Sequence, residues 1–268
     1  MTKVTVIVSQ KGGVGKTTLT VQLGATTAEA FPPMVPPDVE AALKRLDLAA
    51  PGADAQLRAL LRQCKAQVLT VSTDPQTSLV DWLDKVSKVF WKAKRPLPLD
   101  YAQEDENPRV LAKLKTSRQY KRIFVDSPGW LPKGTDQDKG DQPLEKSIVR
   151  ASLESADMVL LPLEPEDLAF NPLKRTIREV VEPLGIPYLV VINNWDPRDG
   201  TGDLVDTQKR VERAGFPLAT TVVRRYKVHT NASAAGRLCT TFPKNRVSTE
   251  ARTDFLKLAM EIAVNGGE

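Results

Sequence analysis

At 268 residues, 41% hydrophobic and 26% charged, the chain has an ordinary globular balance and the length for one sizeable α/β core or two small domains. Its formal net charge of +5 permits a nucleic-acid partner without establishing one. Cys64 and Cys239 form no C-x-x-C pair beside the single His229, which argues against a zinc site built on them; no signal peptide precedes the first strand and no apolar run approaches about 18 residues, so a cytoplasmic chain without a transmembrane helix is expected. Residues 3–8, Lys-Val-Thr-Val-Ile-Val, read as a buried strand, and residues 19–30, which lack proline, read as a helix.

Between these two elements lies Ser-Gln-Lys-Gly-Gly-Val-Gly-Lys-Thr-Thr, residues 9–18. Strand, glycine-rich turn and helix is the context that a phosphate-binding loop requires. Gly12, Gly13 and Gly15 let the backbone turn so that successive N–H groups, through Val14 to Thr18, face an anion, and the helix N-terminus adds partial positive charge. Lys16 supplies a full charge to the phosphates of ATP, and the Thr17 hydroxyl can ligate Mg²⁺.

Gln10 occupies the usual first glycine position and a second lysine, Lys11, follows it. Lys-Gly-Gly-Val-Gly-Lys-Thr-Thr resembles the deviant Walker A motif of the ParA/MinD family of ATPases. That resemblance implies that Lys11 reaches across an ATP-bound sandwich homodimer to the partner's phosphates. Apart from the resemblance, Lys11 is a basic residue beside a phosphate site.

Prolines stop the first helix within 31–37. Asp38 then reads as an N-cap for a helix over 39–48, and Asp54 as the cap of another reaching residue 65. In the family the first helix leads almost directly to the second motif, so 31–65 reads as an insertion: a helical elaboration over one end of the sheet, or a hairpin that docks a partner. Residues 67–71 read as a strand running into Ser-Thr-Asp-Pro-Gln, which resembles the family's D-x-D-P-Q segment, with Ser72 in place of the first Asp and Thr77 in place of a Gly. Asp74, at a strand's C-terminal end, can orient or deprotonate the attacking water, or can simply start a proline turn.

Residues 79–95 place Trp82, Phe90 and Trp91 at helical spacing among lysines, a pattern of core contacts with solvated cations between them. Residues 101–108 read as an acidic loop and 110–119 as a basic helix. Residues 120–126 form an apolar strand ending in Asp126, the Walker B pattern, with the carboxylate placed to hold the Mg²⁺ shell. A polar loop is expected over 130–143. Strands follow over 157–163 and 186–192, with helices over 171–184 and 205–214. Asn193 can offer an amide to the adenine edge, or Asn193-Asn194 can end the strand in a turn. The last strand, 221–227, resembles the family's Thr-Val-Ile-Pro-Arg segment, with Arg225 on the family's Arg and Arg224 replacing its Pro; a helix over 250–263 closes the chain.

Alternating strands and helices predict an α/β fold, a doubly wound and mainly parallel sheet, here one P-loop domain over 1–268 with the insertion after its first helix. The resemblance implies a slow ATPase of partition or positioning, using ATP and Mg²⁺. Lys11, Lys16, Asp74 and Asp126 would perform the chemistry and Thr17 with Asp126 would hold the metal. The resemblance further implies a homodimer on non-specific double-stranded DNA over the nucleoid, and a ParB-like partner that stimulates hydrolysis. Basic residues concentrated between 221 and 252, led by Arg224, Arg225 and Lys227, are the candidate DNA contacts, against the alternative of a solvated charged face. Three other classes compete: a MinD-like ATPase acting at a membrane, which needs a basic amphipathic C-terminal helix; an electron carrier, which needs cluster cysteines; and a DNA-binding adaptor with little hydrolysis, which the intact loop disfavours.

Overall fold

The computed structural model describes residues 1–129 and 144–266, so the loop expected over 130–143 lies outside the described residues. Seven strands form one sheet, and every pairing is parallel. In chain order they are β1 (Lys3–Ile7), β2 (Val68–Ser72), β3 (Asp100–Gln103), β4 (Arg122–Asp126), β5 (Met158–Leu163), β6 (Tyr188–Trp195) and β7 (Val223–Arg224); across the sheet they run β3-β2-β4-β1-β5-β6-β7. The helices are α1 (Lys16–Ala30), α2 (Pro37–Arg45), α3 (Ala53–Leu61), α4 (Ser78–Lys92), α5 (Pro108–Leu111), α6 (Leu144–Glu154), α7 (Asp167–Thr176), α8 (Gly202–Arg213), α9 (Lys227–Ala234) and α10 (Arg246–Asn265).

The central strands are apolar throughout because helices cover both faces of the sheet. Ile7, Phe124 and Leu160 point to one face, where they pack with Leu19 and Leu23 of α1, Leu83 of α4 and Phe255 and Leu258 of α10. Val6, Val125 and Leu161 point to the other, with Leu111, Ile148, Leu173 and Val211 of α5 to α8. A third, smaller core joins Val39 and Leu43 of α2, Leu46, and Ala53 and Leu57 of α3, with Trp91 of α4 against it. The segment between α1 and β2 is therefore a helical hairpin with its own apolar seam, closed at its base where Met34 and Lys65 exchange backbone hydrogen bonds of 2.9 and 3.0 Å.

Several boundaries differ from the sequence expectations. β3 occupies part of the expected acidic loop: its polar residues pair only with β2, and an edge strand needs no apolar pattern. The basic helix expected over 110–119 is only α5 followed by a single 3-10 turn, Leu114–Thr116. α7 begins four residues before the expected 171, with Pro172 inside it; the carbonyl that loses its helix bond belongs to Leu168, which is exposed and can meet water. Neither Asp38 nor Asp54 is an N-cap; Pro36 and Gly52 hold those positions. The last strand is just Val223–Arg224, and Lys227 opens α9 instead.

Candidate nucleotide site

β1 lies between β4 and β5, and the chain's winding reverses around it, which places the crevice of an open α/β sheet above its C-terminal end. The register sets Ile7 level with Asp126, and Asp126 level with Ser72. The loop after β1, the carboxylate ending β4 and the segment following β2 therefore meet over one edge. Gly15 sits at φ +83°, the left-handed region, and an added Cβ there would fall 2.7 Å from Asn193 Nδ2, so glycine is required twice over.

Asp126 is almost fully buried and accepts a 2.7 Å hydrogen bond from the Thr17 hydroxyl on Oδ2, while its Oδ1 is buried without a partner. Burial pushes its carboxyl up to about 7, against Thr17 and Lys16, which pull it down. A buried, half-satisfied carboxylate beside a threonine hydroxyl is a donor pair that fits a hydrated Mg²⁺. Lys16 is also buried, and its ammonium makes no hydrogen bond or ion pair among the described residues. Desolvation lowers its pKa while Asp126 and Asp74 raise it. A desolvated, unpaired cation fits phosphate oxygens. Bound ATP would supply the scissile phosphate, and Mg²⁺ would neutralise its charge; the loop, Lys16, Thr17 and Asp126 are the residues that would hold both.

Asp74 is held on both sides: its N–H donates to Ser72 Oγ at 3.3 Å, its Oδ1 accepts from the Gln76 N–H at 2.9 Å, and its carbonyl accepts from Gln103 Nε2 at 3.0 Å and from the Thr77 N–H at 3.1 Å. Its charge reaches both Lys16 and Asp126, so it faces the same site. Thr77, where the family pattern has Gly, sits at φ +54°, a strained conformation for a β-branched residue.

A cavity of about 520 Å³ adjoins the loop, with Gly13, Gly15, Thr17 and Thr18 at one end and Asn193, Arg225, Tyr226 and His229 at the other. Asn193 is buried, and its amide donates to the Val14 carbonyl at 2.6 Å, bracing the loop from behind. Arg224 is not free for a phosphate: it pairs with Asp254 at 2.7 Å and Glu250 at 3.4 Å on α10. Arg246 and Arg252 are paired as well, to Glu250 and Glu29. Arg225 and Lys227 are exposed and have no ion pair among the described residues.

Lys11 extends away from its own cradle. Its ammonium is 2.7 Å from Glu164 and 2.6 Å from Glu166, just past β5, and Glu164 also accepts from the Asn194 amide at 3.0 Å. Burial pulls the Lys11 pKa down, and the two glutamates outweigh it, so the pKa is raised. Sequence reasoning missed Glu164 and Glu166, although Leu-Glu-Pro-Glu at the C-terminal end of a strand beside the loop was a signal for them.

His229 was also missed as a feature of the site. Its ring packs among Tyr226, Phe242 and Phe255 with centroids 5.1 to 6.1 Å away, and neither ring nitrogen has a partner. Burial lowers its pKa from 6.5 to about 4. Above pH 6.5 the ring is neutral in both folded and unfolded chains. As pH falls from about 6.5 to about 4 only the unfolded chain gains the proton, so stability on the order of 3 kcal/mol is lost across that window. His229→Leu should lose less stability than the wild type between pH 7 and pH 4.5 in denaturant titrations. Parallel curves would show that the ring titrates normally.

No family model matches the chain. Maintenance of carboxysome distribution protein A of Gloeobacter kilaueensis is 26% identical over 260 residues, 97% of this chain and 94% of that protein. The protein of the same name from Halothiobacillus neapolitanus is 26% identical over 177 residues, 64% of this chain and 72% of the relative. The similarity to the Gloeobacter protein runs over nearly the full length of this chain, in which the deviant loop, the carboxylate of β4 and the parallel sheet are in place. The chain has the sheet of a P-loop fold and a loop that resembles the deviant motif of the ParA/MinD family. Among solved structures, this fold is shared by the MinD cell division protein of Aquifex aeolicus, at TM-score 0.60 and 18% identity, covering 97% of this chain and 96% of that one, and by an ATP complex of a Cyanothece McdA variant, at 0.59 and 19%, covering 98% and 97%. The donor set just described fits ATP with Mg²⁺. No described helix is long and apolar enough to cross a membrane.

Proposed function

We propose that this chain is an ATPase of the ParA/MinD family and positions a cargo over the nucleoid. The ATP-bound form is a sandwich homodimer that holds non-specific double-stranded DNA, and hydrolysis, stimulated by a ParB-like partner, releases it. Residues 1–268 act as one ATPase unit, with 31–65 as an inserted hairpin. The relatives named for the maintenance of carboxysome distribution favour a cargo body other than DNA over a plasmid or chromosome.

The observation that carries this reading is Lys11. A monomeric phosphate cradle is complete with Lys16 and the loop amides, and the Lys11 ammonium lies outside it, held on Glu164 and Glu166. A second cation at the mouth of the loop has its use when a partner's phosphates arrive opposite it. Lys16 and the amides of Gly12 to Thr18 bind the phosphates, Thr17 and Asp126 hold the metal shell, Asp74 orients the water and Asn193 steadies the loop beside the base. The membrane alternative requires an amphipathic helix free to lie on lipid, whereas Phe255, Leu258 and Ile262 of α10 are buried in the core.

Lys11→Ala should retain most ATP binding and lose the ATP-dependent dimer. Size-exclusion chromatography with a non-hydrolysable ATP analogue checks this: the wild type should shift to twice its monomer mass and the variant should not. A variant that still dimerises would remove the sandwich model.

A further inference from the structure

The inserted hairpin creates a groove that the nucleotide site does not use. It runs between α3 and α4, encloses about 250 Å³, and has Phe90, Trp91, Leu61 and Leu97 in its lining. Three arginines stand around it, Arg58, Arg62 and Arg95, all exposed. Two are stacked on the aromatic rings: the Arg58 guanidinium lies 5.5 Å from the Trp91 ring centroid and that of Arg95 lies 5.2 Å from Phe90. Stacking of this kind restrains the side chain while leaving its N–H groups free to donate.

The charge in the lining of the groove is mostly positive. Arg58, Arg62 and Arg95 line it, while Asp54 of α3 and Asp81 and Asp84 of α4 stand outside the lining. None of these three arginines is in an ion pair among the described residues, whereas Arg224, Arg246 and Arg252 on the opposite end of the sheet are all neutralised. The single carboxylate in the lining is Asp100, whose oxygen accepts from the Tyr120 hydroxyl at 2.8 Å and from Gln119 at 3.3 Å. Self-repulsion among unpaired cations is a standing cost that an anionic partner would relieve.

We propose that this groove is a docking surface for an acidic segment of a partner protein, anchored by an apolar or aromatic side chain between α3 and α4. A duplex would meet the same charges, but its phosphates need no concave apolar floor, and phosphate contacts are made from the protein's outer surface. A peptide with carboxylates flanking an apolar anchor uses both features: the anchor fills the aromatic floor and the carboxylates meet guanidinium groups already oriented by stacking. The inference stands apart from the reading of the nucleotide site, since none of these residues touches the loop.

The probe is a short synthetic peptide of Asp and Glu with one central Phe, labelled for fluorescence anisotropy and titrated with the full-length protein. Saturable binding is expected, weakening as salt rises from about 0.05 M to about 0.3 M. Arg58→Glu combined with Arg62→Glu should weaken binding by about tenfold or more, while ATP turnover and the ATP-dependent dimer stay at wild-type levels. Peptide binding should also change the tryptophan emission, and Trp91→Phe should abolish that change. The proposal is overturned if the peptide does not bind, if the charge-reversed protein binds it equally, or if replacing Phe by Gly in the peptide has no effect. It is equally overturned if the reversal releases duplex DNA and leaves the peptide bound, which would make the face a nucleic-acid surface.

Discussion

Asp74→Ala should bind ATP and dimerise as the wild type does, yet turn ATP over about two to four decades more slowly. The carboxylate stands two residues beyond Ser72, which is level with Asp126, and its charge acts on both Asp126 and Lys16. Asp126 itself is tied to Thr17 and buried, which leaves Asp74 as the acid of the pair able to reach a water. Its backbone is clamped by Ser72 and Gln103, so removal of the carboxylate should leave the loop in place. Phosphate release under saturating ATP and Mg²⁺ gives the rate, and binding of a fluorescent ATP analogue shows that the site is intact. Turnover within about tenfold of wild type would move the water-positioning role elsewhere, with Gln103 the next candidate because its Oε1 is buried without a partner.

Arg225→Glu together with Lys227→Glu should abolish ATP-dependent retention on duplex DNA. Ion pairing selects these two positions. Arg224→Glu would set a third carboxylate against Asp254 and Glu250 and unsettle the contact between β7 and α10. Arg225 and Lys227 are exposed and unpaired, so charge reversal there disturbs no internal ion pair. A dimer that loses two cations per protomer loses up to four phosphate contacts, which should flatten the slope of log affinity against log salt by about 3.6. Arg225 also borders the cavity beside the loop, so ATP affinity must be measured on the same protein, with Lys227→Glu alone as the variant that stands clear of that cavity. DNA retention by the double variant equal to wild type would remove this face as the DNA surface.

Much of the architecture is legible in the amino-acid sequence by itself. β2, β4 and β5 are apolar runs because they are buried on both faces, and that pattern is written locally. The loop from Ser9 to Thr18 is equally local: its glycines, lysine and threonine are contiguous, and the strand before it and helix after it are its neighbours in the chain. Asp126 ends one apolar strand and Asp74 stands two residues beyond another, so both carboxylates are visible locally at strand ends.

The features that escape a sequence reading depend on what comes to lie beside them. Asp-Tyr-Ala-Gln becomes β3 only because the backbone of β2 offers it an unpaired edge. Arg224 reads as a free cation beside Arg225, and it loses that character to carboxylates 26 and 30 positions further along the chain. Lys11 finds Glu164 and Glu166 from more than 150 residues away because β1 and β5 are adjacent in the sheet. A residue's type and spacing fix its backbone preference and its charge; whether that charge meets solvent, a ligand or an opposite charge is set by the strand order, which brings together segments that no local pattern connects.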